Sequence, residues 1–259
     1  MTMNKYFSTE LLTANIGKDL FVSPPYLQNG DVVELCGEQG SGRSSLLQHL
    51  MIECILPKHH NGCNAGVIYF DLDCHFELLR VISIIERRTG ASEEEVKKWL
   101  KNLHIVRCDS SEQLVITLHS MEPLIANSQV PVSLIILDSI SSFYWIDSSA
   151  IVNTSVKDAF LQKVVQILQV FKDRYNVCVL ASTQQLINPD QKLCCNIGGD
   201  MVMYKPFLCR QWQDFVKYKF IMTAATFSTD GTCAFNIYCV CPSRYKKQFV
   251  IEKQGVRFL

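Results

Sequence analysis

Residues 37–45 have the types and spacing of a loop that binds phosphate groups. They are Gly37, Glu38, Gln39, Gly40, Ser41, Gly42, Arg43, Ser44 and Ser45. Glycines let the backbone approach a phosphate closely, and successive N–H groups can then surround it. An apolar stretch, 32–36, precedes the loop and a helical pattern, 45–54, follows it, which is the order that such a loop requires. The sequence therefore predicts a nucleotide site at these residues.

The unusual residue of this loop is Arg43, which stands where phosphate-binding loops carry lysine. Lysine places a compact ammonium between the phosphates, whereas arginine carries a planar fork that is not interchangeable with it. Phosphate binding can survive this change while stabilisation of the transition state suffers. The hydroxyl of Ser44 is placed to hold Mg²⁺ beside the nucleotide.

A second part of the site is predicted at Asp138, which ends the continuous apolar run 134–137. A carboxylate at the end of such a strand can orient a water molecule on the Mg²⁺ that Ser44 holds. The structural alternative is that Asp138 only caps the chain after the strand. Because Asp138 occurs together with the phosphate-binding loop, we expect the nucleotide role.

Hydrolysis also needs a base that orients the attacking water, and the sequence offers only degenerate candidates for it. Asp73 follows the second predicted strand, but it is one methylene shorter than glutamate, and a misplacement of about 1 Å can cost a hundredfold in rate. Gln184 follows the fifth predicted strand and could sense the γ-phosphate or simply bind the backbone of its own loop. We therefore assign no firm catalytic residue.

The elements that must position these residues alternate between strand and helix. Strands are predicted at 32–36, 67–70, 103–106, 134–137 and 177–181, and helices at 45–54, 76–88, 92–100, 111–125 and 156–175. Such alternation predicts an α/β fold with a mainly parallel twisted sheet and helices on both faces. Strand patterns at 216–222, 234–240 and 248–251 predict an antiparallel extension at the C-terminal edge. We expect one domain over residues 30–259, preceded by a short arm, 1–29.

Composition limits the classes of function. The 25 Lys and Arg residues equal the 25 Asp and Glu residues, so no general basic field attracts nucleic acid. We find no signal peptide pattern and no apolar run of the roughly 20 residues that span a membrane. The 12 cysteines are scattered without zinc spacing, which favours reduced thiols. A metal site at His59, His60 and Cys63 remains a weak alternative, because no second pair of ligands is near.

Several motifs together resemble the RecA/Rad-type recombinase core. They lie at residues 34–42, 54–58, 69–80, 137–147, 208–212 and 249–256. The resemblance covers residues 30–259 and is closest to a eukaryotic recombinase paralogue. It implies a RecA-like ATPase core that uses ATP and Mg²⁺ and acts in homologous recombination repair in the nucleus. It also implies a terminal subunit in a hetero-oligomer of recombinase paralogues that supports the main recombinase on single-stranded DNA.

The departures from that family concern catalysis and DNA. The loop lysine is Arg43, the catalytic glutamate position holds Asp73, and we see no helical N-terminal DNA-binding domain. The first DNA-loop position, 146–156, contains no lysine or arginine. The second, 186–211, offers three candidates for DNA contact: Lys192, Lys205 and Arg210. Because each basic residue adds affinity for phosphates, we expect weak autonomous DNA binding.

Three functions are compatible with such a loop. We favour a subunit that hydrolyses ATP weakly or not at all and contacts DNA mainly through the assembly. The alternative is a DNA-stimulated ATPase that acts as a recombinase in its own right, which would need a working lysine, a longer base and basic DNA loops. A small-molecule kinase would need an arginine-rich lid, and we find none.

Overall fold

A mixed sheet forms the centre of the molecule in the computed structural model. The structure describes residues 16–22, 26–144, 154–185, 193–227 and 233–259, with residues 154–157, 193 and 225–227 described through their backbone alone. The strands are β1 (Val32–Gly37), β2 (Gly66–Asp71), β3 (Leu103–Arg107), β4 (Val132–Asp138), β5 (Cys178–Gln184), β6 (Leu193–Ile197), β7 (Asp200–Tyr204), β8 (Tyr218–Phe227), β9 (Cys233–Cys241), β10 (Tyr245–Glu252) and β11 (Gly255–Phe258). The helices are α1 (Arg43–Ile55), a 3-10 turn (Lys58–His60), α2 (Leu78–Thr89), α3 (Glu93–Leu100), α4 (Ser111–Ser120), α5 (Glu122–Asn127), α6 (Thr154–Tyr175) and α7 (Arg210–Phe215).

Within the described residues the large sheet has the order β11-β10-β9-β8-β1-β5-β4-β2-β3. Strands β8, β1, β5, β4, β2 and β3 pair in parallel, and β9, β10 and β11 continue the sheet in antiparallel pairs. The predicted fold class is therefore confirmed. The first strand of the C-terminal tail, β8, is nevertheless parallel to β1, so the antiparallel extension begins one strand later than the sequence suggested.

The core lies on both faces of the sheet, and β4 shows how the sequence divides between them. Leu134 and Ile136 pack into the cluster that contains residues of α1, α2 and α3. Ile135 and Leu137 pack into the cluster that contains residues of α4 and α6. Successive side chains of a strand point to opposite faces, so a strand covered on both sides must be apolar throughout.

The helix predicted at 111–125 is in fact two helices, α4 and α5, which meet at Met121. Pro123 explains the break, because its ring has no N–H and would collide with the carbonyl one turn earlier in a continuous helix. By contrast, the predicted helix start at Ser92 is confirmed. The Ser92 side chain and Glu95 form a capping box at the beginning of α3.

The sequence reading missed the β6–β7 hairpin, which lies at the second DNA-loop position. Its two strands are joined by Gly198 and Gly199, with φ values of 61° and 89°. A two-residue turn with positive φ at both positions is the tightest connection between antiparallel strands. The Gly-Gly pair was thus the available signal. Inward-facing Ile197 and Val202 pack on the main sheet through Ile221 and Tyr238.

The part of the N-terminal arm that the structure describes packs against the sheet. Ile16, Leu20 and Phe21 are buried in the same cluster as α1. The hydroxyl of Tyr245 donates to the Leu20 carbonyl oxygen at 3.1 Å, which fixes this segment to β10. Among the described helices, none combines the length and apolarity that a membrane crossing requires.

We expect Ile136→Asp to abolish folding. Ile136 is 0% exposed at the centre of β4, and an unpaired buried charge costs several kcal/mol. Soluble yield and circular dichroism measure the effect. Ile116→Asp is the matched control, because Ile116 is 69% exposed on α4 and its replacement should change stability by only about 0.5 kcal/mol. Soluble, folded Ile136→Asp protein would contradict this account of the core.

Candidate phosphate-binding site

The glycine-rich loop has the backbone of an anion cradle. Gly40 and Gly42 have φ values of 78° and 86°, and Gly42 caps α1 with no side chain bound to the helix N–H groups. These N–H groups and the helix dipole therefore remain available to an anion. At Gly37 a side chain is excluded, since a Cβ there would lie 2.5 Å from the Met222 carbonyl oxygen.

An open cavity of about 330 Å³ lies over the loop. It is lined by Gly40, Ser41, Gly42, Arg43, Ser44, Ser45, Arg80, Phe235 and Ile251. The structure thus brings most of the predicted loop residues to one cavity. Arg80 and Ile251 belong to motifs of the family resemblance, but the motifs assign them no role at this loop. Phe235 lies in no motif, and it reaches the cavity from the distant strand β9.

Two polar groups of the loop are buried without a hydrogen-bond partner in the described part of the chain: the Ser41 hydroxyl and Nη1 of Arg43. Burial lowers the pKa of Arg43, and the charges of Asp138, Cys36 and Asp73 raise it in part. Buried polar groups are normally satisfied, so these two indicate a missing ligand or solvent. The loop therefore fits a nucleotide phosphate, as the sequence predicts.

Asp138, the predicted magnesium residue, is buried at the end of β4 and already engaged by two hydroxyl groups. Tyr69 donates its hydroxyl to Oδ2 of Asp138 at 2.6 Å, and Ser182 donates to Oδ1. Burial is the main cause that raises the pKa of Tyr69 well above its ordinary value, and the charge of Asp138 is the second cause. Tyr69 therefore keeps its proton and donates it to Asp138. The carboxylate faces the same region as Arg43 and keeps its geometry through these two bonds.

Asp71, two residues before the candidate base, is a structural residue. Its Oδ1 accepts the backbone N–H groups of His75 at 2.9 Å and Phe76 at 3.2 Å. Its Oδ2 pairs with Nε of Arg107 at 3.1 Å, which links β2 to the edge strand β3. These bonds hold the chain after β2 in a turn, and they explain why α2 begins at Leu78 and not at Phe76 as predicted.

Asp73, the candidate base, lies exposed near Asp138 and is held by a serine that the sequence reading did not consider. Ser142 donates its hydroxyl to Oδ1 of Asp73 at 2.5 Å, and the same hydroxyl lies 2.5 Å from the Ser139 carbonyl oxygen. Although the residue is exposed overall, partial desolvation of its carboxyl group is the first cause that raises the pKa of Asp73, and the hydrogen bond from Ser142 opposes it. Asp73 thus lies in the site, but its Oδ1 already accepts a hydrogen bond from Ser142.

Gln184 ends β5 beside the loop, with its Cα paired to that of Gly37. Its backbone N–H donates to the Ser141 hydroxyl at 3.0 Å, and its side chain is exposed. The next residue, Gln185, is more deeply engaged. Its backbone N–H donates to the Gly37 carbonyl at 2.8 Å, and its Nε2 donates to the Met203 carbonyl of β7 at 2.9 Å.

The three candidates for DNA contact do not form a basic surface in the described residues. Lys192 lies outside them, and Lys205 is half-buried after β7. Arg210 is exposed on α7 and pairs with Asp214 at 3.6 Å. Trp212, an aromatic residue of α7 next to this segment, is fully buried. Most of the first DNA-loop position, residues 146–153, also lies outside the described residues.

Comparison with known proteins agrees with this architecture. The family model described as Rad51 matches residues 24–205. The chain is 34% identical to the DNA repair protein XRCC2 of Mus musculus over 257 residues, which is 93% of this chain and 89% of that protein. The chain belongs to the Rad51 family. The resemblance stated from the motifs is thereby confirmed.

More distant relatives match less of the chain. It is 26% identical to the XRCC2 homolog of Arabidopsis thaliana, with 76% of this chain and 69% of that protein covered. The chain is also 26% identical to the DNA repair and recombination protein RadA of Methanoculleus marisnigri, with 63% of this chain and 52% of that protein covered. The parallel sheet, the loop after β1 and the aspartate after β4 are therefore read as a RecA-like core.

We expect the Asp73 carboxyl to titrate above the ordinary aspartate value of about 3.9, because burial disfavours its charged form. Ser142→Ala should raise this pKa further, because it removes a hydrogen bond that favours the carboxylate. Carboxyl ¹³C NMR titration measures both. Ser120→Ala, a change at an exposed serine of α4, is the control. An unchanged or lowered pKa in Ser142→Ala would show that this contact does not exist in solution.

Proposed function

We propose that this protein is a recombinase-paralogue subunit that supports homologous recombination repair of DNA double-strand breaks. It works through assembly with other recombinase paralogues, as a terminal subunit in the nucleus, and helps the main recombinase on single-stranded DNA. The observation that carries the proposal is a phosphate-binding loop with intact backbone geometry but altered catalytic groups. The relatives named as DNA repair proteins support the same role.

Retained nucleotide binding is supported by the loop. Positive φ values at Gly40 and Gly42, the uncapped start of α1 and the unpartnered Ser41 hydroxyl all suit the phosphates of ATP. Ser44 lies in the cavity, where its hydroxyl would hold Mg²⁺. The metal would neutralise charge on the phosphates, and Asp138 would act on it through water.

Weak hydrolysis is supported by three features of the same site. Arg43 brings a broad, partly buried guanidinium in place of a compact ammonium. Both carboxylate oxygens of Asp138 accept hydroxyl groups of the protein. Asp73 is short, and its Oδ1 is bound to Ser142. A base that must first release a hydrogen bond and then reach further is poorly placed to orient water.

Assembly needs an open surface, and the edge strand β3 provides one. Among the described strands, β3 pairs only with β2, so its outer edge carries unpaired backbone groups. Ile105 of β3 is 37% exposed there. The family resemblance implies that the N-terminal linker of one protomer packs on the core of the next. An extended linker can add to such an edge through backbone hydrogen bonds.

The alternative is an autonomous DNA-stimulated ATPase. It is favoured because the phosphate-binding loop, the aspartate that ends β4 and a candidate base are all present at the site. It is opposed by their chemistry and by the sparse basic residues near β6 and β7. We therefore assign direct DNA contact to the assembly as a whole.

The purified chain should bind ATP yet turn it over at close to the blank rate, with or without single-stranded DNA. Fluorescent-nucleotide titration and phosphate release measure these properties. Gly42→Ala should lose ATP binding, because φ is 86° and a Cβ would lie 3.1 Å from Phe249. Gly90→Ala is the control. Gly90 has a φ of 66°, so its replacement causes a backbone strain of about 1 kcal/mol, similar to that at Gly42, but no atom lies within 4 Å of the added Cβ. DNA-stimulated turnover that Arg43→Ala abolishes would establish the autonomous enzyme instead.

We expect Ile105→Asp to prevent co-purification with partner paralogues while the chain stays folded. The charge disturbs an edge that the partner must cover, but in the isolated chain it faces solvent. Ile116→Asp on α4 should leave co-purification intact. Equal co-purification of both variants would show that the partner surface does not lie at β3.

A further inference from the structure

A second polar cavity, of about 570 Å³, lies at the far end of α1 from the phosphate-binding loop. It is lined by Lys18, Asp19, Glu53, Leu56, His59, His60, Asn61, Arg88 and Thr89. The 13-residue helix α1 starts at the loop and ends beside this cavity, so about 20 Å of helix separates the two. The nucleotide site therefore does not explain it.

The unusual group of this cavity is the guanidinium of Arg88, at the end of α2. Burial lowers the pKa of Arg88, while the charges of Glu53 and Asp19 raise it in part. Nη1 is buried and has no hydrogen-bond partner in the described parts of the chain. A desolvated cation needs charged or polar partners, and each unmade bond to it has a cost.

The nearest carboxylate is committed elsewhere. Glu53 accepts the backbone N–H of Gly17 on Oε2 at 2.9 Å, and its Oε1 lies 3.2 Å from Nε2 of His49. These contacts fix the N-terminal segment to α1. Asp19 is exposed at the rim, so its charge is largely solvated. Neither carboxylate forms a hydrogen-bonded pair with Arg88 among the contacts of the described residues.

The other lining groups are donors on separate elements. Lys18 is exposed on the N-terminal segment, and His59, His60 and Asn61 lie at the turn after α1. His60 packs against the Trp99 ring with centroids 5.2 Å apart, which limits its movement. Metal binding does not account for these histidines, because the described residues include no group of three or more His, Cys, Asp or Glu that could hold an ion.

We propose that this cavity binds a phosphate-class dianion, either free phosphate or a phosphate monoester. Arg88, Lys18 and the 59–61 turn bring donors to the cavity from three segments of the chain, which suits the several oxygens of a phosphate. The carboxylates of Asp19 and Glu53 offset the charges of Lys18 and Arg88, so recognition must come from hydrogen bonds to the several acceptor oxygens of a phosphate and not from net positive charge. The volume also accommodates a substituent on the phosphate.

Isothermal titration of the full chain with inorganic phosphate and with O-phosphoserine, at constant ionic strength in chloride, tests this site. Arg88→Gln should weaken binding about tenfold or more, as expected for loss of charged hydrogen bonds. Arg87→Gln is the matched control, since Arg87 is the exposed neighbour on α2 and contacts Ser83. Asp19→Asn should strengthen binding. Tighter binding of O-phosphoserine than of phosphate would identify a monoester as the ligand.

The phosphate-binding loop can also take phosphate, so Gly42→Ala separates the two sites. Binding that survives Gly42→Ala and is lost in Arg88→Gln, with circular dichroism unchanged, supports the proposal. Binding lost only in Gly42→Ala, or absent altogether, would overturn it. So would weaker binding in Asp19→Asn together with stronger binding in Arg88→Gln, since that pattern would show that the positive charge of Arg88 does not hold the anion. Arg88→Lys, which keeps the charge, should retain part of the affinity and guards against a folding defect.

Discussion

The parallel pairing of four neighbouring strands is the constraint on which the candidate nucleotide site depends. Strands β1, β5, β4 and β2 run in one direction, so their carboxyl ends share one edge of the sheet. The loop after β1, Asp138 at the end of β4 and Asp73 after β2 therefore meet at this edge, where the backbone N–H of Asp73 donates to the Asp138 carbonyl oxygen at 3.3 Å. The burial of these four strands on both faces fixes their register, because a slip of one residue would move every side chain to the opposite face.

The chemistry at that edge depends on how its charges are satisfied. Tyr69 and Ser182 hold Asp138, and Ser142 holds Asp73, so hydroxyl donors occupy the carboxylates of the site. Arg43 supplies a positive charge nearby, and its Nη1 has no hydrogen-bond partner among the residues that the structure describes. The arrangement is consistent with an anion held by the backbone and helix dipole, since those groups stay free. The proposal of weak hydrolysis rests on this occupation of the two carboxylates by hydroxyl groups.

Much of this edge could be predicted from sequence, because each part has a local signal. The apolar runs locate β1, β2 and β4, and the glycine spacing locates the loop. The partners that decide the chemistry have no such signal: Ser142 and Ser182 are ordinary polar residues, and Phe235 reaches the cavity only through the sheet order. The β6–β7 hairpin had a signal in its Gly-Gly turn, but its strands are short and do not show a strong period. The cavity at Arg88 depends on four segments and was not foreseeable.

A buried ion pair joins the two halves of the sheet at β1. Glu34 accepts the Thr183 hydroxyl of β5 at 2.5 Å and pairs with Nζ of Lys219 of β8 at 3.0 Å. The same Nζ lies 5.6 Å from the Tyr204 ring centroid of β7. A buried charge is strongly destabilising once it loses its partner, so these residues must keep their geometry together.

Gln185 links β1 to β7 a second time, because it donates hydrogen bonds to the carbonyl groups of both Gly37 and Met203. The first residue of the phosphate-binding loop and the inner strand of the hairpin are thus positioned by shared contacts. Since the hairpin lies at the second DNA-loop position, the strand that carries the nucleotide loop also sets where that segment leaves the core. A displacement of one relative to the other would have to break a hydrogen bond of Gln185, either to Gly37 or to Met203.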